Sequence, residues 1–229
     1  ALGIIGQSVG SAVFPTLSAL WAEADYDGFK DRLSRAMRNV LYLSFPATVV
    51  FILLGEPIVS IFERGEWTAE STQAAAWALA FYATGIAGFT LLEVLSRAFY
   101  AMEDTWTVVL IGIGAMVSNI ILNLIFIQFI GEPDSLVRGS FAGLALANAS
   151  TTVVESLVLW WLIRRRIGQL GDVRGIYDGA IIKSVGGTIV ASVVMGVGLF
   201  AVTQVMSGGL IVAIIGGIVG AVIFFGVGY

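Results

Sequence analysis

The sequence has 229 residues, 58% of them hydrophobic and only 12% charged, with a formal net charge of −4 and a mean hydropathy of +0.93. A soluble domain carries about 25% charged residues, so this chain cannot cover a water-facing surface, and it lacks the basic surface that nucleic acid requires. It has no cysteine and no histidine, which excludes disulfides, the usual zinc ligand sets, thiol nucleophiles and imidazole acid–base chemistry.

Runs of about 20 apolar residues recur, as membrane-crossing helices require. They predict an all-α, polytopic transmembrane bundle of about seven helices, at roughly 1–21, 38–62, 74–101, 106–130, 139–163, 180–206 and 209–228. The chain opens at Ala1 inside the first run and stops in the apolar "FFGVGY", so it reads as a piece of a longer protein.

In the first span Gly6 and Gly10 are four apart, as are Gly216 and Gly220 in the last. Such spacing lets helices approach closely; tight packing and a sliding surface both fit it. Pro15 and Pro46 lie within apolar runs and predict bends. The connection "AEADYDGFKDRLSRAMRN" sets Phe29, Leu33, Ala36 and Met37 at helical spacing. It is either an amphipathic helix lying on the membrane surface or a solvated link.

The third span ends in "LLEVLSRAFYAMEDTWT", where Glu93 and Arg97 interrupt an apolar run four residues apart. Glu before Lys or Arg is the favourable order for a helical pair. It is either an ion pair at the membrane interface, with Arg97 snorkelling, or a pair lining a polar cavity. Asn119 and Asn123 share a face of the fourth span, and Asn148, Thr151, Thr152 and Glu155 lie in the fifth. Polar groups at that depth face protein or water, either as interhelical hydrogen bonds or as an ion or substrate site of amide and hydroxyl oxygens.

If the spans alternate, Lys30, Arg32, Arg35, Arg38, Arg97, Arg164, Arg165, Arg166, Arg174 and Lys183 fall on one side, and only Arg64 and Arg138 on the other. That bias places the larger set in the cytoplasm. The first helix then enters from outside, and the C-terminus ends in the cytoplasm.

Several stretches in register resemble the MurJ/MviN family of the MOP exporter superfamily. "GIIGQSVGSAVFPTLS" resembles a helix end closed by Pro15, Leu17 and Ser18; "FPATVVFILLGEPIVSIFERGEWT" resembles the next helix and its exit, through Pro46, Glu56-Pro57, Arg64, Gly65 and Trp67. "LSRAFYAMEDTWT" carries the family's turn in Arg97, Phe99, Tyr100, Ala101, Asp104 and Thr105, and "NIILNLIF" and "GSFAGLALANAS" resemble the two helices after it. The match runs over residues 1 to about 166.

The resemblance implies a flippase for lipid II, the undecaprenyl-diphosphate-linked peptidoglycan precursor, in the bacterial inner (plasma) membrane, serving cell-wall synthesis, and not an enzyme. It implies fourteen helices, as two six-helix lobes around a central cavity and a final pair that grooves the lipid tail. Residues 1–166 would then be the C-terminal MOP-type lobe and 167–229 the groove pair. The partners implied are lipid II, membrane lipids and the missing N-terminal lobe of the same chain. Gln7, Ser8, Glu93 and Arg97 are the substrate-cavity candidates. Some members bind sodium, and Asn119, Asn123 and Asn148 match part of that set by position, its seventh-helix ligand lying outside the chain; the coupling expected is to a sodium ion or to the membrane potential, with no other cofactor. Two departures stand out: Val108 follows the turn where a proline is common, and Glu93 replaces a residue that is often basic. Left open are a flippase for another polyprenyl-linked glycan, a drug exporter of the same superfamily, an enzyme acting on polyprenyl phosphates and a non-transporting scaffold.

Overall fold

The computed structural model describes residues 4–63, 67–132, 135–168, 178–205 and 209–228. Among them nine α-helices follow in order: α1 (Ile4–Ala22), α2 (Tyr26–Leu53), α3 (Gly55–Val59), α4 (Ala69–Ala83), α5 (Ile86–Ala101), α6 (Thr105–Phe129), α7 (Phe141–Gly168), α8 (Asp178–Val205) and α9 (Gly209–Gly228), with a 3₁₀ turn at Ser60–Phe62. The fold is all-α, as expected.

Four helical stretches are long and apolar enough to cross a membrane: Tyr26–Leu53, Thr105–Phe129, Phe141–Gly168 and Lys183–Gln204. α4 and α5 together qualify as a fifth, bent by 48°. α1 has 19 residues and the apolar stretch of α9 runs Ile211–Gly226, which is the short limit for a core of about 30 Å. The protein is therefore a multi-pass membrane protein. Five of the seven expected spans have crossing length and hydropathy, and two are marginal.

Three predicted elements change. The span expected at 74–101 is two helices, not one. α4 closes in a tight turn, Thr84 Oγ1 donating to the Phe81 carbonyl at 2.7 Å and the Gly85 N–H to Tyr82 at 3.1 Å. The helix expected to begin at 38 begins at Tyr26 and absorbs the connection before it. Phe29, Leu33, Ala36 and Met37 do form one face, but protein covers it; Phe29 and Leu33 are 0% exposed, so this face does not pack on lipid. That helix also stops at Leu53, short of the predicted 62, because Pro57 has no N–H to donate to the Leu53 carbonyl. Finally, Arg164–Arg166 belong to the end of α7 rather than to a loop.

The chain forms two compact units. The first comprises residues 1–44, 86–119 and 150–186, and the second 45–85, 120–149 and 187–229. In the first, Phe29, Leu33, Met37, Leu95, Phe99, Leu159 and Ile163 are sealed from solvent; in the second, Leu54, Met195 and Leu199 are. α6 turns Ile113, Met116 and Leu124 outward, each more than half exposed.

Candidate functional site

Glycine brings α1 and α5 together in the first unit. A Cβ on Gly6 would lie 2.7 Å from the Thr90 Cα, and one on Gly10 would lie 3.3 Å from the Glu93 carbonyl oxygen and 3.4 Å from the Arg97 side chain. Gly6 pairs with Thr90 and Gly10 with the next turn of α5, so the two helices run in the same direction. Thr90 also hydrogen-bonds to Ser44 of α2 at 2.7 Å. A buried hydroxyl pair thus joins three helices where bare apolar contact would give no fixed register.

Arg97 lies across the notch that Gly10 leaves and faces Glu93, with Nη2 3.9 Å from Oε2 and both side chains partly exposed. At that distance and exposure the pair contributes at most about 1 kcal/mol. We expect the charge-swapped Glu93→Arg/Arg97→Glu variant to keep its thermal midpoint within about 2 °C. A large loss of stability there would mean that the pair holds the fold.

Gln7 and Ser8 do not touch this seam. They belong to a second stripe of α1, with Ser11, Ala12, Pro15 and Thr16, all exposed. At about 100° per residue these six positions span one continuous half of the helix. Hence α1 turns Gly6, Gly10, Val13 and Leu17 to protein and offers a polar, small-residue face to whatever lies beyond. Lipid does not favour such a face.

The motif after Arg97 resolves into a hinge of fixed geometry. Glu103 has φ 60°, and α5 ends with the Asp104 N–H on the Phe99 carbonyl at 3.0 Å and the Glu103 N–H on Tyr100 at 3.0 Å. This is a Schellman end with glutamate in the usual glycine position. Asp104 then caps α6, accepting from the Thr107 N–H at 3.2 Å and the Thr107 hydroxyl at 2.6 Å, while Arg166 at the end of α7 pairs with the same carboxylate. Phe99 is fully buried and Tyr100 exposed; Thr105, the first residue of α6, is exposed.

The same device closes α1. Ala24 has φ 56°, the Asp25 N–H meets the Leu20 carbonyl at 2.9 Å and the Ala24 N–H meets Trp21 at 3.1 Å. Asp25 caps α2 by accepting from the Gly28 N–H at 2.9 Å. "LWAEAD" and "FYAMED" are therefore one turn used twice, apolar–aromatic–Ala–x–x–Asp. Sequence reasoning found the second copy and missed the first, although the spacing was legible.

Asn119 lies in the first unit, Asn123 and Asn148 in the second. Each has a side-chain atom sealed from solvent, so α6 and α7 turn these amides to protein rather than to lipid. Thr151, Thr152 and Ser156 are buried on α7, and Glu155 Oε1 lies 3.7 Å from where a Gly112 Cβ would stand on α6. Of the remaining motif positions, Pro15 is exposed inside α1 and Ser18 half-buried; Arg64 and Gly65 fall outside the described residues.

These features define a class: a polytopic α-helical membrane protein with polar side chains turned inward at span depth and one polar helix face left open. The family described as "Lipid II flippase MurJ" matches residues 1–218. A probable lipid II flippase MurJ of Vibrio cholerae is 34% identical over 160 residues, covering 69% of this chain and 29% of that protein. One of Haemophilus influenzae is 30% identical over 166 residues, covering 69% and 31%, and the lipid II flippase MurJ of Burkholderia cenocepacia 28% over 164 residues, covering 71% and 30%. The chain belongs to the MurJ family and spans about three tenths of the length of these curated relatives.

Proposed function

We propose that this chain is the C-terminal lobe and tail-groove pair of a flippase that carries lipid II across the bacterial inner membrane. Membership of the family supports the reading, and so does the description of its relatives as lipid II flippases. The observation that carries it is the open stripe Gln7, Ser8, Ser11, Pro15 and Thr16 on α1. A membrane helix with that face needs water or another polar wall opposite, which is what a cavity shared with an N-terminal lobe supplies. In this reading residues 1–166 form the lobe and 167–229 the groove pair.

The substrate sets the mechanism. Its diphosphate and sugars require a wet cavity with cationic groups, while the prenyl tail stays in lipid. Gln7 and Ser8 offer hydrogen bonds to the headgroup, and Arg97 a cation tempered by Glu93. Alternating access follows from rocking one lobe against the other. With the basic residues inside, α1 enters from the outer side and the C-terminus ends in the cytoplasm, and the parallel course of α1 and α5 is compatible with that alternation.

For ion coupling the candidate donors are the amide oxygens of Asn123 and Asn148, both in the second unit. Hard oxygens suit sodium, and the Oδ1 atoms of Asn123 and Asn148 are shielded from solvent, which agrees with a dehydrated ion. Replacing sodium by potassium in a transport assay should then lower the rate several-fold; an unchanged rate leaves the membrane potential as the driving term.

The stripe gives a direct test. In the full-length protein, Ser8→Leu/Ser11→Leu should abolish complementation of a flippase-depleted strain while membrane expression holds, because leucine is tolerated by lipid but not by a polar cavity. Normal growth with that variant would remove the stripe from the transport path. Residues 1–229 alone should give no flipping in proteoliposomes.

A further inference from the structure

The second unit holds a cavity of about 850 Å³, outside the α1 stripe and the asparagine set. Its wall carries Glu56 of α3, Glu63, Gln73 and Trp77 of α4, Arg138 from the α6–α7 connection, and Gln204 of α8. Arg138 lies over the Trp77 ring at 5.9 Å from its centroid. No ion pair among the described residues joins Arg138 to Glu56 or Glu63, so opposite charges line one chamber without neutralising each other. A solvated rim could carry these charges, but the chamber also has an apolar extension. Ile52 and Leu53 are shared with a second groove, of about 410 Å³, between Val49 of α2 and Val193, Val197 and Phe200 of α8. Gly196 keeps that groove narrow: a Cβ there would stand 3.1 Å from Val49.

A chamber with both signs of charge that opens into an apolar groove is complementary to an amphiphile with both signs in its headgroup. The volume is that of ordinary small-molecule sites, about 300–1,000 Å³. Among the described residues two carboxylates face one guanidinium, which opposes a diphosphate or a purely anionic headgroup and sets this place apart from one for the transported precursor. We propose that the chamber and groove bind one zwitterionic phospholipid of the phosphatidylethanolamine type, its ammonium toward Glu56 and Glu63, its phosphate toward Arg138, and an acyl chain along α2 and α8. Such a lipid would fasten α8 to the end of α2 and the start of α4.

The test is native mass spectrometry of the intact full-length protein, titrated with phosphatidylethanolamine and, separately, with phosphatidylglycerol of the same acyl chains. Phosphatidylethanolamine should bind about tenfold more tightly, one decade for each ~1.4 kcal/mol. Glu56→Gln/Glu63→Gln should erase that preference, Arg138→Gln should weaken both lipids, and Gly196→Leu should weaken both by filling the groove. The two charge variants act at exposed positions, so their folding is secure even if the leucine variant misfolds. Equal binding of the two lipids by the unaltered protein overturns the proposal, as does an unchanged preference in the double variant. Binding is read without transport, so this outcome is independent of whether the protein flips lipid II.

Discussion

Gly6→Ala should destabilise the protein by about 1–3 kcal/mol, the usual range for forcing atoms into a packed contact. The new methyl carbon would stand 2.7 Å from the Thr90 Cα and 3.2 Å from its carbonyl oxygen. Backbone cannot swing aside as a side chain can, so α1 and α5 must separate. Separation also strains the Ser44–Thr90 hydrogen bond, which is 2.7 Å long and buried. Against this stands the better helix propensity of alanine, up to about 1 kcal/mol, and the clash wins. Gly114→Ala is the matched control. Nothing lies within 4 Å of that position, so there only the propensity term acts, and the change should be neutral or mildly stabilising. The thermal midpoint in detergent should therefore fall for Gly6→Ala and hold or rise slightly for Gly114→Ala. A drop of equal size in both would mean that glycine acts through flexibility rather than through close approach.

The second large effect concerns Asp104. One carboxylate caps α6 through Thr107 and pairs with Arg166 of α7. Loss of a cap costs about 1 kcal/mol. The ion pair adds less than its geometry suggests, because the Arg166 side chain is 50% exposed and solvent screens it, so it adds under about 1 kcal/mol. Asp104→Ala should then destabilise by about 1–2 kcal/mol. Asp104→Asn retains the cap and loses the charge, and should recover more than half of that. Arg166→Ala on top of Asp104→Ala should add little, since the partner is already gone. Additive losses in the double variant would show that Arg166 works through another contact.

Composition and run length were enough to read the all-α membrane fold, because a bilayer admits few ways to satisfy a backbone. The ends of helices were read less well. The break between α4 and α5 rests on Thr84 and Gly85, two residues too ordinary to announce a 48° bend. The segment before Arg38 stayed open between two readings because hydropathy cannot distinguish an amphipathic helix on lipid from one whose apolar face is covered by the rest of the chain. Phe29 and Leu33, both fully buried, decide that question only in three dimensions. At the candidate site, the polar residues could be found in the sequence but not their directions. Gln7 and Ser8 stand out in an apolar run, yet only burial reveals that the seam uses Gly6 and Gly10 and leaves the other half of α1 open. The chamber at Glu56 and Arg138 gave no sign at all, since its residues come from segments far apart in sequence and look like ordinary charges at helix ends.

Reconstitution of the full-length protein tests the proposed transport of lipid II most directly. Proteoliposomes loaded with labelled lipid II on one leaflet should expose the label to a headgroup-specific reagent on the other. The rate should fall to the protein-free background with Ser8→Leu/Ser11→Leu. Background rates with the unaltered protein, together with movement of a different polyprenyl-linked glycan or of a drug, would contradict the account.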